Sequence, residues 1–194
     1  MKHVLKPALA LFIIAAITTS LLVIAHNLTL EPIAKQAKKT QEKTMKEVLA
    51  QASRFREFSG DNAVAGKSGC ITGIYEGLSN DSVIGYVVEL APSGYSGAVN
   101  MMVGILKTER LISGMRILKH SETPGLGALA VKENFYRKYD GKTMVPLFVV
   151  KANPGSDEIE AITGATITTK AVTYAVNEAI QWFNSVFAPE GDDE

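Results

Sequence analysis

The first feature of the chain is an uncharged apolar run near its start. Residues 8–25, ALALFIIAAITTSLLVIA, carry no charged side chain, and a helix needs about 20 mainly apolar residues to cross a bilayer. Lys2 and Lys6 precede the run, and Glu31 is the first charge after it. Because basic residues favour the cytoplasmic side, the pattern predicts a transmembrane anchor over residues 1–27 with its N-terminus in the cytoplasm. A cleaved signal peptide is the alternative, but its apolar core is normally only about 7–15 residues long.

A second helical pattern follows the apolar run, among lysines and glutamates. It predicts a membrane-proximal amphipathic helix within residues 28–58. Pro32 is expected near the first turn of this helix, where its missing N–H is tolerated. Because charges of both signs surround the apolar stripe of this helix, we expect the stripe to contact the following domain or a partner subunit. The positions of the stripe are Ala34, Ala37, Gln41, Met45, Val48, Leu49 and Ala52.

From Cys70 to Val150 the pattern changes to short runs rich in Val, Ile and Tyr, separated by glycine-containing turns. Such runs are typical of strands. The predicted strands are Ile71–Tyr75, Val83–Leu90, Met101–Leu106, Leu111–Leu118 and PLFVV (146–150), with a short helix in ALAVKENFYRKY (128–139). One apolar face over Lys170–Phe187 predicts a final helix. The fold class is therefore α+β: an N-terminal transmembrane helix, then a domain over residues 59–188 with an antiparallel sheet and flanking helices. The acidic tail, 189–194, is predicted to be disordered.

Composition excludes several kinds of function. Lys and Arg number 20, as do Asp and Glu, so the net charge is zero and no overall field favours nucleic acid. The single cysteine, Cys70, cannot form an internal disulfide, and we expect it to be a small buried apolar residue. The three histidines are scattered without metal-ligand spacing. We therefore expect neither a metal site nor a nucleic-acid partner.

The stretch ITGATITTKAV, residues 162–172, crowds hydroxyl groups ahead of the final helix. A helix needs only one hydroxyl as its N-cap, yet four threonines stand there: Thr163, Thr166, Thr168 and Thr169. The opening turn contains Lys170 and no acid, which suits an external anion such as a phosphate on the helix N-terminus. Gly164 and Ala165 would let that group approach the backbone closely. An ordinary helix start capped by Thr166 or Thr168 is the alternative.

Two earlier loops have a similar composition of glycine and polar residues. HSETPGLGALA begins at His120 and combines a proline with two glycines, so it predicts a shaped loop against which a flat apolar ligand could lie. PSGYSG, residues 92–97, presents a tyrosine between two glycines. Each loop alone could be a simple turn. The candidate ligand contacts in these loops are Tyr95, Glu122, Thr123, Gly125, Leu126 and Gly127.

Taken together, GYSG, HSETPGLGA and ITGATITTKAV, in this order after one membrane helix, resemble the FMN-binding domain family and, within it, the G subunits of Rnf-type electron transport complexes. In that family the last threonine of an S/T-G-A-T motif is esterified to the phosphate of FMN. Thr163, Gly164, Ala165 and Thr166 fill the motif, so the resemblance implies covalent FMN on Thr166. Lys170 is then a candidate phosphate contact, and Thr168 and Thr169 remain available for capping or for phosphate contacts. Glu160 stands where the family often has aspartate, which keeps the charge but changes its reach.

The resemblance also implies a function. The chain would be a membrane-anchored flavoprotein subunit that relays electrons within an ion-translocating ferredoxin:NAD oxidoreductase. It would have no substrate and no catalytic residues of its own. Its implied partners are the membrane, the other membrane, iron–sulfur and flavin subunits, and a flavin-attaching transferase during maturation. The implied location is the bacterial inner membrane, with the FMN domain on the periplasmic side.

Three other functions stay open. One is that of the related C subunit of the sodium-pumping NADH:quinone reductase, which shares the motif. Another is a tethered module that binds free FMN without electron traffic. The third is an anchored hydrolase with a threonine nucleophile, for which His120 would have to be the base.

We predict that Ile14→Arg impairs membrane insertion, because arginine at the centre of a spanning helix costs about 2.5–3.5 kcal/mol on insertion scales. The measurement is the membrane-bound fraction of the full chain after carbonate extraction, with Ile14→Leu as the control.

Protease added to cells stripped of any outer layer should reach the domain of the wild-type chain. A protected domain together with an accessible N-terminus would show that the orientation is reversed.

Overall fold

The structure, a computed structural model, describes residues 2–59 and 69–187. The chain divides into two compact units, Met1–Gln41 and Glu42–Glu194. The predicted acidic tail, 189–194, lies outside the described residues, so its disorder stays a prediction. The α+β class predicted from the sequence is confirmed: an apolar N-terminal helix is followed by an antiparallel sheet with flanking helices.

Helix α1 covers Lys2–Val48 without a break. Its apolar run is exposed along its whole length, and α1 is the one helix among the described residues that is long and apolar enough to span a membrane. The separate helix predicted within residues 28–58 is wrong in its bounds, because α1 runs through Pro32 and ends at Val48. A proline inside a helix removes one backbone hydrogen bond. The residues on both sides of Pro32 are helical, so α1 continues through the proline.

Five strands form one antiparallel sheet in chain order. They are β1 (Arg54–Glu57), β2 (Ile71–Ser79), β3 (Ser82–Leu90), β4 (Asn100–Leu106) and β5 (Leu111–Lys119). The four strands predicted in this region are confirmed as β2 to β5. Strand β1 was not predicted, because the short charged segment RFRE has little apolar alternation. It forms by pairing with the far half of β2, from Arg54 opposite Leu78 to Glu57 opposite Tyr75.

The rest of the domain is less regular until its last helix. The helix predicted over 128–139 is divided into a 3-10 helix (Gly127–Val131), α2 (Glu133–Tyr136) and a second 3-10 helix (Arg137–Tyr139). The predicted strand in PLFVV is β6 (Phe148–Val150), which pairs in parallel with an unpredicted strand, β7 (Glu158–Glu160). Helix α3 covers Thr166–Val186 and so begins earlier than the predicted start at Lys170. Thr166 is therefore the first residue of the helix.

The sheet is covered on both faces. Helix α3 packs on one face, where Val176 and Phe183 are fully buried with Val88 and Val103. On the other face Val48, from the last turn of α1, belongs to a second apolar cluster. That cluster also contains Met45, Leu49, Ala52, Val87 and Met102. Successive strand residues point to opposite faces, so burial on both sides explains why β4 is an almost continuous apolar run.

A row of glycines lets the end of α1 lie close to the sheet. Gly77 pairs with Gly85 across β2 and β3, and Gly104 pairs with Gly114 across β4 and β5. A Cβ atom on Gly104 would collide with the carbonyl oxygen of Val48. The same carbonyl accepts a hydrogen bond from the Ser113 hydroxyl on β5, which satisfies one of the acceptors that a helix C-terminus leaves open.

We predict that Gly104→Ala lowers the free energy of unfolding by about 1–3 kcal/mol, the usual range for overpacking a tight contact. The new Cβ atom would meet the backbone carbonyl of Val48, which cannot move aside as a flexible side chain could. Urea unfolding of the full chain in detergent, followed by the fluorescence of Trp182, measures the change; Trp182 is the only tryptophan and is buried in the core. Gly155→Ala is the control, since its Cβ would meet only ordinary contacts at 3.6 Å or beyond. Equal stability of the two variants would contradict the close contact between the last turn of α1 and the sheet.

Candidate functional site

The three loops singled out in the sequence meet at the start of α3 and enclose a pocket of about 390 Å³. This volume lies within the range of about 300–1,000 Å³ that is usual for small-molecule sites. The lining residues are Tyr95, Glu122, Thr123, Leu126, Gly127, Gly164, Ala165, Thr166, Ile167 and Thr168. Eight of these ten were candidate ligand contacts in the sequence; Ile167 was not, and Thr168 was expected either to cap the helix or to contact the phosphate. Most of the predicted ligand contacts therefore do lie together.

A tight turn places Thr166 at the pocket. The N–H of Ala165 donates to the carbonyl of Ile162 at 2.9 Å, and Gly164 has φ of +76°, a left-handed conformation that favours glycine. The buried Thr169 hydroxyl donates to the carbonyl of Ala165 at 3.0 Å and accepts the N–H of Ile162 at 3.1 Å. Thr169 therefore holds the turn onto the first turn of α3, and its side chain faces the interior.

The N-terminus of α3 is open to an external acceptor. Ala165, at the N-cap, makes no side-chain cap bond, and the first turn of the helix contains no acid. Among the described residues, the N–H groups of Thr166, Ile167 and Thr168 have no recorded acceptor. Thr166 is exposed, and its hydroxyl has no recorded partner in the described part of the chain. Free N–H groups at a helix start favour an anion such as phosphate.

Four candidate residues from the sequence do not line the pocket: Thr163, Gly125, Thr169 and Lys170. Thr163 is exposed on a neighbouring cleft, beside the Lys138–Glu160 ion pair of 3.2 Å. Gly125 lies in the 122–127 loop but outside the lining. The buried Thr169 hydroxyl is already hydrogen-bonded within the turn described above. The turn at Gly164 explains why Thr163 and Thr166 lie on different clefts.

Lys170 lies on a different cleft from Thr163, and this cleft shares Ile167 with the pocket. It is exposed and stands one helical turn after Thr166, so both residues lie on one side of α3. The cleft also contains Cys70, which was predicted to be buried and is only half-buried. Burial, and then the negative charge of Glu178, raise the pKa of this thiol to about 11, so the thiol is protonated at neutral pH.

Glu122 is the buried acid of the pocket, with an exposure of 5%. One carboxylate oxygen accepts the Thr168 hydroxyl at 2.6 Å, and the other accepts the N–H of Ser96 at 3.0 Å. Its own N–H donates to Nδ1 of His120 at 3.2 Å. Burial acts to raise the pKa of Glu122, but the hydrogen bonds from Thr168, Ser96 and the N–H of Tyr95, together with His120, outweigh it. The pKa lies below its ordinary value, and the group is ionised at neutral pH.

Two glycines make room for this carboxylate. A Cβ atom on Gly127 would collide with one carboxylate oxygen of Glu122 and would lie 2.6 Å from the Thr168 hydroxyl. A Cβ atom on Gly94 would collide with the other carboxylate oxygen. The sequence showed the glycines but not the partner of Thr168. No local signal could have shown it, because Glu122 lies 46 residues away along the chain.

Comparison with known proteins places these features in a family. The model of the FMN-binding domain matches residues 94–181, and that of the RnfG N-terminal region matches residues 1–48. The G subunit of the Na(+)-translocating ferredoxin:NAD(+) oxidoreductase complex of Acetobacterium woodii is 37% identical over 95% of this chain and 94% of that protein. The G subunit of the ion-translocating oxidoreductase complex of Methanosarcina acetivorans is 31% identical over 98% of each chain.

A solved structure has the same fold. It is the C subunit of the Na(+)-translocating NADH-quinone reductase of Parabacteroides distasonis, which superposes with a TM-score of 0.62 over 84% of this chain and 98% of that chain. The two sequences are 18% identical, so the likeness concerns the fold alone. The ten pocket residues all lie within the segment that the FMN-binding domain model matches.

We predict that Glu122→Gln lowers the free energy of unfolding at neutral pH by about 1–3 kcal/mol, the usual cost of disturbing a buried hydrogen-bonded group. Because the folded pKa is depressed, this contribution is fully present above the ordinary value of 4.5 and is lost as the pH falls through the folded value. Urea unfolding at a series of pH values should show the gap to wild type closing under acid.

Glu133→Gln is the matched control for this prediction. Glu133 pairs with Arg137 on an exposed surface, where an ion pair contributes about 0–1 kcal/mol. Its variant should stay close to wild type throughout. A gap for Glu122→Gln that is constant from neutral pH to about pH 3, well below the ordinary carboxyl pKa, would show that its carboxylate charge contributes nothing to stability.

Proposed function

The chain belongs to the family of G subunits of ion-translocating oxidoreductase complexes, and we propose that it is the membrane-anchored flavoprotein subunit of such a complex, passing electrons between ferredoxin and NAD. Its FMN-binding domain carries the flavin, and α1 carries the domain at the membrane. The observation on which the proposal depends is the pocket at the start of α3. It combines an apolar lining, free N–H groups and an exposed hydroxyl.

We further propose that FMN is attached through a phosphoester to Oγ1 of Thr166. The other three threonines of the motif region are occupied or lie elsewhere. Thr168 is bonded to Glu122, Thr169 closes the turn, and Thr163 is on another cleft. Thr166 lines the pocket with an exposed side chain. This division supports Thr166 as the attachment point.

The surrounding groups suit a phosphate and a ring. A phosphate on Thr166 would lie beside the free N–H groups of the first turn, and Lys170 could reach it from the outer side of α3 with a charge-assisted hydrogen bond. The ring would occupy the pocket, where Leu126, Tyr95 and Ile167 supply exposed apolar surface. These residues therefore fit FMN.

In this proposal the subunit is a relay without a soluble substrate of its own. Bound FMN supplies the capacity to take up and release electrons, and the protein holds and orients it. The only carboxylate in the described lining of the pocket is Glu122, which is ionised and so has no proton to give. Anchoring raises the effective concentration of the domain near its partner subunits, which supports a role inside a complex.

The proposal includes location, partners and maturation. We place the subunit in the bacterial inner membrane, with its N-terminus in the cytoplasm and its FMN domain on the outer side, as Lys2 and Lys6 indicate. Its partners are the other membrane, iron–sulfur and flavin subunits. A transferase attaches the flavin. Glu160, in the family's aspartate position, is paired with Lys138 in the structure, and recognition by the transferase would involve that pair.

The alternatives have less support. The hydrolase required His120 as a base near a threonine, but its Nδ1 accepts the N–H of Glu122 and the residue does not line the pocket. A tethered module for free FMN would not need an exposed hydroxyl at the helix start. The C subunit of the NADH-quinone reductase shares the fold at 18% identity, far below the 37% identity to a G subunit.

We predict that Thr166→Ala abolishes covalent flavin, because it removes the exposed hydroxyl at the helix start of the pocket. The chain is produced with its own maturation machinery, and the denatured protein is examined by intact and peptide mass spectrometry. Wild type should carry the FMN increment on the peptide that contains Thr166. Thr108→Ala, at an exposed threonine outside the motif and the pocket lining, is the control and should still carry flavin. Covalent flavin on Thr166→Ala would refute the assignment.

A further inference from the structure

The pocket contains a buried negative charge that the attachment of FMN does not explain. Glu122 lines the pocket, yet no lysine or arginine forms an ion pair with it among the described residues. A carboxylate is a poor neighbour for a group that binds through an anionic phosphate. Besides holding the loops together through its hydrogen bonds, its charge acts on any group that occupies the pocket.

The carboxylate is held so that it cannot turn away from the pocket. Thr168, on the first turn of α3, binds one oxygen at 2.6 Å, and Ser96 binds the other at 3.0 Å. Gly94 and Gly127 lie against the two oxygens, where a Cβ atom on either glycine would collide with the carboxylate. Both contacts donate hydrogen bonds, which favour the charged form. His120 is the other titratable group beside it.

We propose that Glu122 sets the reduction potential of the flavin, as a positioning residue whose fixed negative charge makes the pocket unfavourable to added electrons. The inference rests on the proposed function, since it requires FMN in this pocket. Reduction adds electrons from a donor, and any proton that follows comes from water, because Glu122 has none to give. A charge in a partly buried site is weakly screened. The carboxylate therefore raises the free energy of the reduced state and lowers the reduction potential.

The same carboxylate also holds the loop that presents Tyr95, through the N–H groups of Tyr95 and Ser96. A change at Glu122 could therefore act through loop position instead of charge. Glu122→Gln removes the charge and keeps the size, and the Thr168 hydroxyl can accept from the new amide instead of donating. Glu122→Asp keeps the charge and shortens the side chain. The pair of variants separates the two effects.

The experiment is a redox titration of the full-length flavin-loaded protein in detergent, with dithionite as the reductant and flavin absorbance as the readout. The midpoint potential of Glu122→Gln should shift to a more positive value, while that of Glu122→Asp should stay near wild type. Glu133→Gln loses the same charge on an exposed surface outside the pocket lining and should not shift. If Glu122→Gln fails to fold or to take up flavin, Glu122→Ala, which is also neutral, is titrated and should shift in the same direction.

Two outcomes would overturn the inference while the proposed function stands. One is an unchanged or more negative potential in the neutral variant. The other is an equal positive shift in Glu122→Asp, which would assign the effect to the loop. A wild-type chain that carries no flavin after co-production with its maturation machinery would overturn the proposed function, and this inference with it. That case is recognised at once, because no variant then has a flavin potential.

Discussion

The hydrogen bond between the Thr168 hydroxyl and the Glu122 carboxylate joins the first turn of α3 to the loop after β5. Through its other oxygen, the same carboxylate holds the backbone of the loop at Ser96. Three segments that are far apart in the chain therefore meet at one buried group. Because a buried carboxylate is costly unless its oxygens are hydrogen-bonded, the segments can come together only in the arrangement that satisfies it. The pocket is the space that this arrangement leaves.

The sheet provides the rigid support for that arrangement. Helix α3 covers one face, which fixes the position of Thr166 at its start, while the last turn of α1 covers the other face over the glycine row. Each helix buries an apolar stripe, and the strands between them are buried on both sides. The site is thus built on packed elements, although its lining comes from loops. Such a design suits a carrier that must hold a cofactor in one position.

The surplus of threonines before α3 has a physical explanation in the structure. One hydroxyl closes the turn, one binds the buried acid, one faces a neighbouring cleft, and one remains free at the helix start. The two buried hydroxyls are hydrogen-bonded, as buried polar groups generally are. The free hydroxyl lies where an anion is favoured by the helix N-terminus. Crowding of one residue type therefore combines structural roles with a proposed site of modification.

The sequence by itself determined the features that depend on neighbouring residues, and only the tertiary structure decided which groups meet. An uncharged run long enough to span a membrane, the four strands β2 to β5, the last helix and the three loops are all visible as local spacing and composition. Their approximate bounds were predictable for that reason. The motif around Thr166 is also local, and together with the two earlier loops it made Thr166 the proposed attachment point. Strand β1, by contrast, has little local signal and forms by pairing with β2, and β7 forms by pairing with β6.

The contacts of the site depend on the turn at Gly164 and on packing of α3 against the sheet. They include the hydrogen bonds of Thr169 within the turn, the position of Lys170 on a separate cleft, and the bond from Thr168 to Glu122. Local periodicity contains no information about such contacts, because the free energy that selects them comes from burying and pairing groups that lie far apart in the chain.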